Sequence, residues 1–157
     1  MIKKFLLAMI LIGAFFCSAS FAGTIPEPTG YVVDTLGLLK QETVTTLTAQ
    51  CKSMEPKGQM AILIINSTQP MSVEEYSIKV WDKWKVGFKG KDNGVILILA
   101  KNDRKIRIQT GRGTEAIIPD FIAGRIIDNI IAPCFKKGDW DGGMLQGTDA
   151  IKKEMLK

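Results

Sequence analysis

The chain alternates between continuous apolar runs and amphipathic stretches, and the two periods assign its elements. Residues 60–65 and 95–100 are unbroken apolar runs, short and largely β-branched or aliphatic. Such runs suit strands covered on both faces. Between them, Ser72 with Glu75 three residues on forms a capping box, and Tyr76, Val80, Trp81 and Trp84 share one face of a helix ending near Lys85. Strand, helix, strand with both strands fully apolar predicts a right-handed parallel crossover. Lys101, Asn102 and Asp103 then read as a turn. Residues 104–109 alternate, Ile106 and Ile108 against Lys105, Arg107 and Gln109, as the antiparallel partner of a hairpin.

Upstream, residues 31–34 form a short extended piece. Apolar positions 39, 44, 47, 51 and 54 mark a helix that Pro56 and Gly58 end. Downstream, residues 110–113 read as a flexible loop. Pro119 opens a helix with Ile122, Ile126, Ile127, Ile130 and Ile131 inside, and Pro133 stops it. Asp139 caps a last helix over residues 140–157, with Leu145, Ile151 and Met155 inward. Helices alternating with a small mixed sheet predict an α/β protein, a three-layer α/β/α sandwich whose sheet combines a parallel crossover with an antiparallel hairpin.

The first 22 residues break this pattern. Lys3 and Lys4 precede an apolar stretch from Phe5 to Phe16, and Ser20 and Ala22 place small side chains where a signal peptidase inspects the chain. The stretch is shorter than the roughly twenty residues of a membrane-spanning helix. Residues 1–22 therefore read as a secretory signal peptide, and residues 23–157 as one domain working outside the cytoplasm, periplasmic or secreted. Cys17 raises a lipoprotein alternative, but Phe15 and Phe16 stand where a lipobox needs small residues. Removing Lys3 and Lys4 lowers the formal charge from +5 to +3. The basic residues are scattered, with no run suited to nucleic acid or a lipid surface. Export would let Cys51 and Cys134 pair, yet each sits in an apolar setting typical of a free buried thiol.

Histidine is absent, which excludes Ser-His and Cys-His nucleophiles and every His-ligated metal site. With no CxxC pair either, a metal must be held by oxygens, as Ca²⁺, Mg²⁺ or Mn²⁺ are. A turn near Asn102 places Gly94 opposite about Thr110, so Asp92 and Asn93 fall beside residues 111–115, and Asp120 begins the helix that leaves the same loop. Asp92, Asn93, Glu115 and Asp120 are thus a candidate hard-cation site, with glycines permitting close backbone approach. Each also has a plain structural reading: a loop entering a strand, a solvated charge, a helix-dipole partner. Ligands in open α/β sheets more often sit beyond the carboxyl ends of the parallel strands, here the end of Asn66, Lys101 and Asp103. Asp139 and Asp141 resemble the start of a calcium loop, but Ala150 stands where an EF-hand needs Glu, so Asp139 reads as a helix cap.

Several motifs follow one another in a familiar order: Tyr31-Val32-Val33-Asp34, Trp84-Lys85-Val86-Gly87, Lys91-Asp92-Asn93-Gly94-Val95, Asn102-Asp103-Arg104 and Thr110-Gly111-Arg112-Gly113-Thr114-Glu115. Pro119-Asp120, Gly124-Arg125-Ile126-Ile127, Pro133 and Gly138-Asp139 continue it. Together they resemble the TPM domain family, the thylakoid phosphatase-like and levamisole-receptor-modulator domains. The resemblance implies an extracytoplasmic α/β/α domain. Some members bind calcium or other divalent ions, some are assigned acid phosphatase activity, and others are accessory proteins of membrane complexes. The family's acidic positions fall on Asp34, Asp92, Asp103, Glu115 and Asp120, which adds Asp34 to the candidate metal ligands.

Two functions are implied. One is a non-catalytic accessory domain that holds a divalent cation, Ca²⁺ first, and docks on an envelope protein. The other is a metal-assisted phosphomonoesterase, with Arg112 or Arg125 turned into the acidic cluster to hold phosphate. The exported protein should begin at Gly23. Intact mass showing Met1 retained, or a lipid on Cys17, overturns the reading of the leader.

Overall fold

Every residue of β3 (Gly94–Ala100) is buried, because the strand lies inside the sheet with a layer of helix on each side. The computed structural model describes residues 23–55 and 57–157; the leader expected over 1–22 lies outside them. β1 (Val32–Asp34), β2 (Gln59–Ile65), β3 and β4 (Lys105–Thr110) stand in the order β1-β2-β3-β4. The first three are parallel, with Asp34 beside Ile64 and Ile64 beside Leu99. β4 returns antiparallel, Val95 opposite Thr110 and Ala100 opposite Lys105. The hairpin register is thus within one residue of the expected one, and Gly111 N donates to Gly94 O at 3.0 Å.

Strand alternation divides the apolar residues between two cores. Met60, Ile62 and Ile64 of β2, Val95, Leu97 and Leu99 of β3, and Ile108 of β4 face α1 (Gln41–Lys52), α4 (Asp120–Ile126) and α6 (Trp140–Met155). Ala61, Leu63, Ile65, Ile96, Ile98 and Ala100 face α2 (Val73–Trp84), which returns Tyr76, Val80 and Trp84. The result is the three-layer α/β/α sandwich. Ser72 caps α2 by accepting from Glu75 N at 3.1 Å, and Lys85 ends it in the left-handed region at φ 54°. Residues 24–27 run along α2: Tyr76 Oη donates to Thr24 O (2.9 Å), Trp84 Nε1 to Pro26 O (2.8 Å), and Lys83 pairs with Glu27 (2.6 Å).

Two expectations are corrected. Residues 110–113 are not a loop: Thr110 ends β4, and α3 (Arg112–Glu115) starts at once behind Gly111. Pro133 does not stop its helix. α4 widens into a π-helical turn (Ile127–Ile131) and continues as α5 (Ala132–Lys136), with Pro133 in the first turn of the new segment. Proline lacks the N–H that an α-helix would require, and a π turn shifts the bonding register so that the ladder tolerates the gap. The helix ends only at Gly138, at φ 77°. Cys51 and Cys134 are both free thiols; burial pushes the Cys51 thiol up to about 12. No helix among the described residues is long and apolar enough to cross a membrane.

A Cβ on Gly94 would collide with the Val86 carbonyl, whereas one on Gly30 meets nothing within 4 Å. Gly94→Ala should therefore cost about 1–3 kcal/mol in chemical denaturation while Gly30→Ala leaves the midpoint unchanged. Equal midpoints for the two variants would contradict the close passage of the 85–87 segment over β3.

Candidate functional site

The two ends of the sheet carry different chemistry. At the amino end, Asp92 adopts φ 47° and its carbonyl accepts from Gly113 N at 3.0 Å. A Cβ on Gly113 would run into the Lys91 carbonyl, and one on Gly111 into that of Asp92 and the Trp81 ring. The approach of Asp92 and Asn93 to the glycine-containing segment is therefore as the hairpin implies. The side chains do less. The Asn93 amide is engaged on both sides, its Oδ1 accepting from Phe88 N (2.9 Å) and its Nδ2 donating to Lys57 O (2.7 Å). Asp92, Glu115 and Asp120 are exposed, Glu115 at the end of α3 and Asp120 in the first turn of α4. Among the described residues no three His, Cys, Asp or Glu side chains gather closely enough to hold a metal ion.

Asp34 does not join them. Its strand runs parallel to β2 and ends beside Ile64, level with Leu99, at the opposite end of β3 from Asp92. There its carboxylate accepts from Leu36 N (3.0 Å) and Leu39 N (2.9 Å), closing the turn into α1. Arg112 is exposed at the start of α3, and Arg125 lines a shallow groove between α4 and α6 that includes Asp149 and Lys153.

At the carboxyl end, two further carboxylates are bound by the protein's own donors. Asp103 lies in the β3–β4 turn and accepts from Ser67 Oγ (2.7 Å) and from Thr68 N (2.7 Å) and Oγ1 (3.2 Å). Partial burial acts to raise its pKa, but these hydrogen bonds and nearby Lys105 outweigh that and hold it below the ordinary 3.8. Asp141, at the start of α6, is lowered first by a hydrogen bond with Thr43 and then by Lys40 N, which donates at 2.9 Å. It supplies the N-terminal cap that α1 lacks locally, since Lys40 offers no capping side chain. Asp139 caps α6 by accepting from Gly142 N at 2.8 Å.

Beside these clasps lies a groove of about 670 Å³ between the β3–β4 turn, α5 and the start of α6. Lys101, Arg104 and Lys136 rim it, and Ile106, Phe135 and Trp140 form its apolar wall. The Phe135 and Trp140 rings are 4.7 Å apart, and Lys101 Nζ stands 5.8 Å from the Trp140 ring centre. Of these residues only Lys101 was marked from the sequence, as lying at the carboxyl end of the strands. Trp140 had a usable signal, an aromatic directly after a helix cap, and it is half-buried. Phe135 and Lys136 were hidden by reading Pro133 as the end of its helix.

The model of the TPM domain family matches residues 32–154. Among solved structures, the N-terminal domain of a Porphyromonas gingivalis protein (P.gingivalis) is similar at 26% identity and a TM-score of 0.73, covering 80% of this chain and 82% of that one. A protein from the psychrophilic bacterium Bizionia argentinensis shares the fold at 19% identity and a TM-score of 0.61, over 75% and 81% of the two chains. The N-terminal domain of a Corynebacterium glutamicum protein does so at 18% and 0.62, over 84% of each. No curated protein matches the sequence.

Because the folded-state pKa of Asp103 is depressed, its bonds stabilise the fold fully above the ordinary carboxylate value and lose that contribution as pH falls through the lower folded value. Asp103→Asn should lower the melting temperature at pH 7, and its gap to wild type should close below pH 3.8. A gap independent of pH would show that the charge of Asp103 is not what Ser67 and Thr68 hold.

Proposed function

The chain belongs to the TPM domain family, and from that membership we propose that it is a non-catalytic binding domain exported to work beside an envelope protein. The observation that carries this reading is the state of its carboxylates. Without histidine, a phosphomonoesterase needs a carboxylic acid with a raised pKa to protonate the leaving group, or a metal-bound water. The Asp103 and Asp141 carboxyls are held below the ordinary carboxylate range by the protein's own hydrogen-bond donors. Each is spent on closing a loop or capping a helix. Of the two cations of the phosphate alternative, Arg125 lines a groove between helices, and Arg112, exposed at the start of α3 beside the Asp92 loop, is the one left to serve it. The leader pattern of residues 1–22 supports export.

A divalent cation enters this reading as a loose ligand of the amino end. The exposed carboxylates of Asp92 and Glu115, together with the carbonyls crowded around Gly113, fit a surface association and not an enclosed cage. That corresponds to the weakest calcium class, Kd around 10⁻⁴–10⁻³ M.

Hydrolysis of a generic phosphomonoester from acidic to neutral pH should be negligible. Turnover by the wild type that Asp92→Ala abolishes would reverse the assignment. Calcium at about ten times such a Kd should raise the melting temperature by mass action, and Asp92→Ala combined with Glu115→Ala should remove the rise. An identical rise in the double variant places any cation elsewhere.

A further inference from the structure

We propose that the groove between the β3–β4 turn and α5 is a docking site for an acidic peptide segment that carries an apolar anchor residue. Charge is the first argument. Lys101, Arg104 and Lys136 rim the groove, and among the described residues no carboxylate lines it. The ion pairs among the described residues involve none of these three cations. The neighbouring acids are turned elsewhere, Asp103 to Ser67 and Thr68, Asp139 to Gly142, and Asp141 to Lys40. The positive potential of the groove is therefore not cancelled from within.

The second argument is the wall. Phe135 and Trp140 pack against each other, and Ile106 extends the apolar surface along β4. Lys101 lies over the Trp140 ring, so a cation and an apolar face are presented side by side. An anchor residue buried on this wall would gain apolar contact while its acidic neighbours met the rim, the arrangement in which an aromatic centre supplies affinity and charges supply selection.

The third argument is dimension. The three cations come from two separate elements, Lys101 and Arg104 from the β3–β4 turn and Lys136 from the end of α5. Charges carried on separate elements around about 670 Å³ suit several carboxylates in series better than one compact anion. The chain's own leader does not fit, because residues 1–22 contain Lys3 and Lys4 and no acid.

The test uses a fluorescein-labelled model peptide, Asp-Glu-Phe-Asp-Glu, read by anisotropy with the purified protein, and the Trp140 indole N–H resonance as a site-specific reporter. Saturable binding that shifts that resonance and weakens as salt rises is expected. Lys101→Glu combined with Lys136→Glu should weaken binding at least tenfold, while Arg112→Glu, on the far end of the sheet, leaves it unchanged. Replacing the peptide's Phe by Ala should also weaken it. The proposal is overturned if the wild type does not bind, or if charge reversal leaves affinity intact. It is equally overturned if inorganic phosphate displaces the peptide at matched charge, which marks a phosphate site, or if anionic vesicles retain the protein and the peptide does not compete, which marks a lipid surface. Because none of these readouts involves hydrolysis, they fail independently of the non-catalytic reading.

Discussion

Burial of β3 on both faces is the constraint from which the placement of every other element follows. Val95, Leu97 and Leu99 enter one core, and Ile96, Ile98 and Ala100 the other. A strand of that kind cannot lie at the surface of a two-layer protein, so helices must cover both sides of the sheet. The parallel pairing with β2 then requires a crossover, and α2 fills it on the Tyr76 face. The antiparallel return of β4 puts the β3–β4 turn at the carboxyl end and Gly111 at the amino end beside Asp92. The two chemically distinct ends of the molecule are thus consequences of strand direction.

Much of this architecture was legible because the apolar runs are long and clean. The β2–α2–β3 crossover, the β4 alternation, the Ser72 and Asp139 caps and the helix carrying Leu47 and Cys51 all show in periodicity and end signals. The connection beyond Pro119 was less legible. A proline inside a helical pattern normally ends it, and only a local change of bonding register lets the chain pass through Pro133. The wide turn also alters which isoleucines are covered: Ile126 and Ile131 are buried, whereas Ile127 and Ile130 are half-buried. A fixed helical period cannot anticipate such a change of phase.

The same limit shaped the reading of the site. Hairpin register is enough to bring the Asp92 backbone to Gly113, and it did so correctly. It says nothing about what the Asn93 amide does, and that amide is consumed by Phe88 and Lys57. Asp34 was grouped with Asp92 through family resemblance alone, and the parallel register of β1 carries it to the other end. Trp140 was read only as the first residue after a cap. Its second role depends on the lateral position of α5, which no local pattern encodes.

Acidic residues in a histidine-free domain invite a metal or an acid–base pair, yet at the carboxyl end the protein's own donors occupy them. A carboxylate placed next to unpaired backbone N–H groups lowers its free energy most by accepting from them, and the loops that surround it become ordered in return. Asp34 does this for Leu36 and Leu39, Asp103 for Thr68, and Asp141 for Lys40 across 101 residues of sequence. Once satisfied in this way, Asp103 and Asp141 are poor general acids, because the ionised form is the one the fold stabilises. The same commitment has an electrostatic corollary. Acids absorbed into loop closure no longer neutralise Lys101, Arg104 and Lys136 through direct ion pairs, so the groove's net positive character arises from where the neighbouring acids point as much as from the number of its cations.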